Sequence, residues 1–225
     1  MAEKNKNVSA PTAEETLNKS EALILKYKNA IIGCVATVVV VVAGVMLYKN
    51  YVSGPNEQKA STALAKAQDL FLSQQYDQAL NGDSTGTAGL LKIASEYSST
   101  KAGNLANLYA GLSYANLDKW QEAAQYIEKF NLCDDQMVSP AALGALGNVY
   151  AHLDQLDKAV STLVKAAEKA DNNSLSPTFL IQAGQILESQ NKKAEALKLY
   201  QQIKDKYFQS MQYQTIDEYI ERASK

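Results

Sequence analysis

His152, Cys34 and Cys133 are the side chains best suited to acid–base, nucleophilic or metal chemistry at neutral pH, and their surroundings argue against each use. His152 is the single histidine, with no second His, Cys or carboxylate cluster at a metal-ligand spacing, so no metal site is expected. It reads as a groove or surface residue rather than a general base. Cys133 is followed by Asp134-Asp135, whose charge disfavours the thiolate a nucleophile needs. Cys34 lies inside an apolar run, far along the chain from Cys133, which excludes a disulfide framework. Ile31-Ile32-Gly33-Cys34 has the letters of a lipobox, but it precedes its hydrophobic core where a lipobox would follow one. Gly82-Asp83-Ser84-Thr85-Gly86 lacks the lysine and the strand context of a phosphate loop. Asp134-Asp135 and Asp154 with Asp157 read as solvated loop charges. No catalytic residue and no cofactor are expected.

The composition fits a packed chain that binds no nucleic acid. Of 225 residues 46% are hydrophobic and 20% charged, enough apolar material for a core. The net charge is −2, and no dense Lys/Arg stripe supplies the footprint that DNA or RNA requires. Thirteen tyrosines against four prolines favour helices with aromatic packing over a loop-rich fold.

The stretch from Ala30 to Tyr48, AIIGCVATVVVVVAGVMLY, carries no charge. As a helix it is about 28 Å long, close to the hydrocarbon thickness of a bilayer. A helix is the only single segment that satisfies its own backbone in lipid, so the β-branched run Val38 to Val42 is no obstacle. Tyr27, Tyr48 and Tyr51 with Lys26, Lys28 and Lys49 stand where interfacial anchors belong. A cleaved signal would need a shorter core and a small-residue cleavage site. The expected organisation is a disordered cytoplasmic leader over 1–28, a transmembrane helix over 29–51, and a helical domain over 56–225. Lysines are nearly balanced across the span, and the extra Lys4 and Lys6 in the leader favour a cytoplasmic N-terminus.

Beyond Pro55 the chain repeats. Gly111, Gly147 and Gly184 recur at steps of 36 and 37 residues. With them recur Tyr114, Tyr150 and Leu187, then Ala123, Ala159 and Ala196. Small residues let two antiparallel helices approach closely, and large ones fill the space between them. Ser139-Pro140 and Ser176-Pro177 read as helix starts with serine at the N-cap and proline at the first helical position. The units AGLSYANLDKWQEAAQYIEKF, LGNVYAHLDQLDKAVSTLVKA and AGQILESQNKKAEALKLYQQI resemble the tetratricopeptide repeat. They depart from it in length, with extra residues in the loops Cys133–Ser139 and Asp171–Ser176, and in lacking a proline at the end of the second helix. The resemblance implies an all-α solenoid: a degenerate unit over 57–98, repeats over 101–134, 140–171 and 177–207, and a capping helix over 212–224. The stripe Ile216, Tyr219, Ile220, Ala223 suits that cap. Asn81 to Thr87 interrupts the first unit as a glycine- and hydroxyl-rich loop, a kind of insertion that often contacts partners.

On the family register the first helix of each pair lines the inner, partner-binding surface. The positions facing it would be Tyr109, Leu112 and Asn116, then Asn148, Ala151 and His152, then Gln182, Gln185 and Glu188. They are mostly neutral, without the basic clamp by which some such domains hold acidic C-termini. Leader, span, repeats and cap together resemble the bacterial membrane-anchored tetratricopeptide proteins related to the ancillary subunit of the Sec translocon. SEYSSTKAGNLANLYAGLSYANLDKWQEA is similar to versions from Bacteroidetes-type bacteria. That resemblance implies an inner-membrane protein with a periplasmic domain that contacts the translocon, chaperones or emerging chains. Two alternatives stay open: an import receptor or adaptor on an organelle membrane with cytosolic repeats, and a self-associating structural stalk.

Overall fold

The computed structural model describes residues 13–225. The expectation of a disordered tail therefore lies outside the described residues for 1–12. From Ala13 onward the leader is helical, because Glu, Leu, Lys and Ala are strong helix formers and continue without a break into the apolar run. The chain divides into two compact units, Met1–Pro55 and Asn56–Lys225.

In the first unit α1 (Ala13–Tyr48) carries the apolar run and is followed by a π turn, Lys49–Ser53. Lys26–Tyr48 is long and apolar enough to cross a membrane. Every side chain of that stretch is exposed. Thr37 returns its hydroxyl to the Gly33 carbonyl at 2.9 Å, which satisfies the one aliphatic hydroxyl of the run within its own helix.

The second unit is a row of antiparallel helix pairs. α2 (Gly54–Leu72) pairs with a second helix split into α3 (Tyr76–Asn81) and α4 (Leu90–Glu96). The complete pairs are α5 (Lys101–Asn116) with α6 (Trp120–Glu128), α7 (Val138–His152) with α8 (Leu156–Ala170), and α9 (Ser176–Ser189) with α10 (Lys193–Lys206). A 3₁₀ turn, Met211–Gln214, leads to α11 (Ile216–Ser224). No strand occurs among the described residues; Gly82 and Ala88 form an isolated bridge that closes the interruption between α3 and α4. Asp83 ties that loop internally by accepting from the Thr85 and Thr87 amides at 3.0 and 2.9 Å.

Each pair turns on a residue in the left-handed region: Gln74, Asp118, Asp154 and Asn191 have φ of 58–60°. The following amide reaches back five residues, Lys119 to the Tyr114 carbonyl and Gln155 to that of Tyr150 at 2.9 Å, Lys192 to that of Leu187 at 2.8 Å. This closes the C-terminus of the first helix with a side chain that tolerates αL. Asp154 is thus a turn residue with a conformational role.

Within the pairs the small residues lie at the closest approaches. A Cβ on Gly111 would stand 2.4 Å from Ile127 Cγ1, one on Gly147 2.7 Å from Leu163 Cγ, and one on Gly184 2.4 Å from Tyr200 Cε1. Ala123, Ala159 and Ala196 are fully buried opposite them. Tyr150 and Leu187 are buried as well, while Tyr114 is half-buried.

The two Ser-Pro sites differ from their expected role. Ser139 and Ser176 are not N-caps: α7 begins one residue before Ser139, and Ser176 opens α9 behind Leu175. Both hydroxyls are fully buried and fasten the preceding loop. Ser139 Oγ accepts from the Cys133 amide at 2.8 Å, and Ser176 Oγ donates to the Ala167 carbonyl at 2.7 Å. Capping falls to Asp135, which accepts from the Met137, Val138 and Ser139 amides, and to Asn172, which accepts from those of Ser174 and Leu175. Asp135 is therefore bound into the helix start, although it reads in sequence as a solvated charge.

At the C-terminal end α11 buries Ile216 and Ala223 against the last pair, and Arg222 forks onto the Glu188 carboxylate at 2.8 and 3.1 Å.

Candidate peptide-binding groove

α5 and α7, the first helices of neighbouring pairs, leave an apolar groove of about 370 Å³ between them, lined by Leu108, Leu112, Met137, Val138, Ala141 and Ala142. Its existence follows from α7. Between Val138 and Ala151 that helix has few polar side chains, chiefly Ser139 and Asn148. Packing on α8 and α6 therefore cannot use up its apolar surface, and a helix apolar all round leaves a second face to be covered.

Of the positions expected to face a partner, Leu112 lines this groove, and Asn148 and Gln185 are exposed. The others are engaged in different ways. Tyr109 is half-buried and packs edge-on against Phe71 at 5.2 Å. The Asn116 amide donates to the Leu112 carbonyl of its own helix at 2.8 Å. His152 is exposed but stacks flat on Trp120, with ring centroids 3.8 Å apart, so one face of the imidazole is taken. Gln182 is half-buried, and its Oε1 is buried without a hydrogen-bond partner. Glu188 is held by Arg222. Ala151 is half-buried.

Sequence reasoning missed Leu108, Met137, Val138, Ala141 and Ala142. The available signal was the pairing of Leu108 with Leu112 one turn apart, and the shortage of polar residues in α7.

Charge around the repeats is spent on cohesion. Tyr150 donates to Glu128 at 2.6 Å; burial and that carboxylate push its ionisation up to about 12. Burial, with the Glu188 carboxylate beside it, pushes the ionisation of Tyr200 up as well. Asp157 is held below the usual carboxylate range by Lys192 and Gln190 of the next pair. Among the described residues no group of three His, Cys, Asp or Glu is placed to hold a metal ion.

The model of a tetratricopeptide repeat-like domain matches residues 24–218. The chain belongs to that family. As a tetratricopeptide repeat-like protein it has a fold that ordinarily serves as a non-catalytic scaffold for binding other proteins. Two crystal structures of kinesin light chain nearly identical TPR-like repeats from Podosopora anserina, one of them a point variant, are similar to it. Each is 14% identical with a TM-score of 0.57, covering 74% of this chain and 85% or 86% of the other. At that identity the likeness concerns the fold alone. None of the curated proteins compared with the chain matches it.

Proposed function

We propose that this tetratricopeptide repeat-like protein is a membrane-anchored scaffold of the bacterial cell envelope. Its groove between α5 and α7 receives an apolar segment of a partner protein. The observation that carries the reading is the apolar groove lined by the buried Leu108 and Ala142 and the more open Leu112, Val138 and Ala141, with the neutral amides of Asn148 and Gln185 exposed on α7 and α9. Such a lining suits a peptide that contributes aliphatic side chains and backbone hydrogen bonds, and its chemistry has nothing to hold an acidic terminus.

Anchoring is supported by the exposed apolar helix Lys26–Tyr48, which only lipid would cover without cost. The resemblance to ancillary Sec translocon proteins supports an N-terminus in the cytoplasm and a repeat domain in the periplasm, beside the translocon and its chaperones.

A photo-crosslinking residue at Asn148 or Gln185, in cells, should capture polypeptide partners, and Leu112→Glu should abolish capture. Absence of any protein adduct refutes the scaffold. Cys133, which is exposed, should react with a membrane-impermeant maleimide from the periplasmic side in a Cys34→Ala background. Labelling only from the cytoplasmic side would place the repeats in the cytosol and overturn the envelope assignment.

A further inference from the structure

Charge in the second unit is sorted between the two helices of each pair. No Asp, Glu, Lys or Arg occurs from Ala102 to Asn116 on α5, from Val138 to His152 on α7, or from Ser176 to Leu187 on α9, and Glu188 is held by Arg222. The second helices carry the charge instead: α8 has Asp157, Lys158, Lys165, Glu168 and Lys169, and α10 opens with Lys193, Glu195 and Lys198. A helix face turned only to water ordinarily carries charge. Loss of charge from an open face is the compositional mark of the centre of an interface.

The open positions of the three first helices also fall into rows. At steps of 36 and then 37 residues, Leu105 leads to Ala141 and Thr178, Tyr109 to Ala145 and Gln182, and Leu112 to Asn148 and Gln185. All of them are half-buried or exposed. The helices that bear them adjoin: α5 and α7 border the apolar groove, and Phe179 of α9 lies against Gly144 of α7. Every row grades in the same sense, from a large apolar side chain on α5, through a compact one on α7, to an uncharged hydrogen-bonding one on α9. The Gln182 amide oxygen has no partner inside the protein.

We infer that the segment bound here is an uncharged, extended stretch of polypeptide laid across the three helices, with apolar side chains over α5 and neutral polar ones over α9. The inference rests on the groove proposed above and adds the conformation, charge and polarity of its occupant. Packed helices stand about 8–10 Å apart, so α5 to α9 is about 20 Å, the reach of roughly six extended residues. An extended segment brings N–H and C=O groups that need partners, and the amides of Asn148, Gln182 and Gln185 both donate and accept. A helical segment would satisfy its backbone internally and leave those amides unused. A carboxylate or ammonium on the segment would lose water over these rows and meet no opposite charge.

The test uses the full chain in lipid nanodiscs, with empty nanodiscs as the blank, and reads fluorescence anisotropy of dye-labelled peptides. The probes are terminally blocked octapeptides with three leucines at one end and Asn, Gln and Ser at the other, made in both chain directions. Matched peptides carry Lys or Glu at a central position. A neutral peptide should bind saturably in at least one direction, and a central Lys or Glu should weaken it about tenfold. Asn148→Asp, which keeps the shape of the side chain, should restore the lysine peptide and weaken the glutamate peptide further. A benzophenone on the leucine end should mark α5, and one on the polar end α9. Equal binding of charged and neutral peptides overturns the inference, as does an Asn148→Asp variant that treats lysine and glutamate alike, or a reversed pattern of benzophenone marks. If no peptide binds while probes at Asn148 and Gln185 still capture proteins in cells, the extended neutral segment is overturned and the scaffold stands. With neither peptide binding nor capture, both readings fall.

Discussion

Replacing Asp135 by Asn tests the worth of a carboxylate at a helix start. Burial opposes ionisation of this carboxyl, but bonds from the Ser139 hydroxyl and from the amides of Met137, Ser139 and Val138 outweigh it and hold the pKa at about 2, against an ordinary value of 3.8. Asparagine keeps an acceptor for the amides and removes both the charge and the second oxygen to which Ser139 donates. The pKa difference corresponds to roughly 2 kcal/mol of preference for the charged form. Because water partly reaches and screens the carboxylate, about 1 kcal/mol should survive as stability. The sign is set by a depressed folded pKa: the contribution is fully present above 3.8 and is lost as pH falls towards 2. Thermal unfolding of the full-length protein in detergent, followed by circular dichroism, should show Asp135→Asn melting about 2–4 °C lower at neutral pH. The gap should close between about pH 4 and pH 2. A variant as stable as the parent at neutral pH, or a deficit that persists once the carboxyl is fully protonated, would refute the reasoning.

Gly111→Ala places a methyl 2.4 Å from Ile127 Cγ1 and 2.9 and 3.0 Å from backbone atoms of α6. The helices must part at a cost of about 1–3 kcal/mol, offset by about 1 kcal/mol of helix propensity, so the urea midpoint falls; a raised midpoint would contradict the close approach. Glu57→Ala strips the start of α5 of its carboxylate acceptor and costs about 1 kcal/mol, read as faster hydrogen exchange at Lys101 and Ala102. Gln74→Gly relieves a left-handed residue that has no short polar side chain to suit it, and raises stability by about 0.5–1 kcal/mol in the same unfolding assay.

The helix pairs were legible because their periodic residues each do a local job, and Gly111, Gly147 and Gly184 mark close approaches that no larger residue fits. Helix starts were harder to read. Ser139 next to Pro140 has the form of a cap, yet the stronger acceptor four residues earlier takes that place and frees the serine to be buried as a fastener. The turns were missed for a related reason, since Asp118, Asp154 and Asn191 look like ordinary surface polar residues until their positive φ is known. The groove was legible only in part. Register places Glu188 and His152 on the first helix of a pair, but it carries no information about Arg222 or Trp120, which arrive from elements about thirty positions away.

The loop between α3 and α4 has a consequence for how such a chain could diversify. Its ends are pinned by the bridge between Gly82 and Ala88, while Ser84 to Gly86 project outward without neighbours near Gly86. New sequence added at that tip would be closed off from the stacked helices, and each doubling of its length would cost only about 0.6 kcal/mol of closure entropy. The site is therefore a natural port for grafting an epitope, a reporter or a whole small module onto the scaffold.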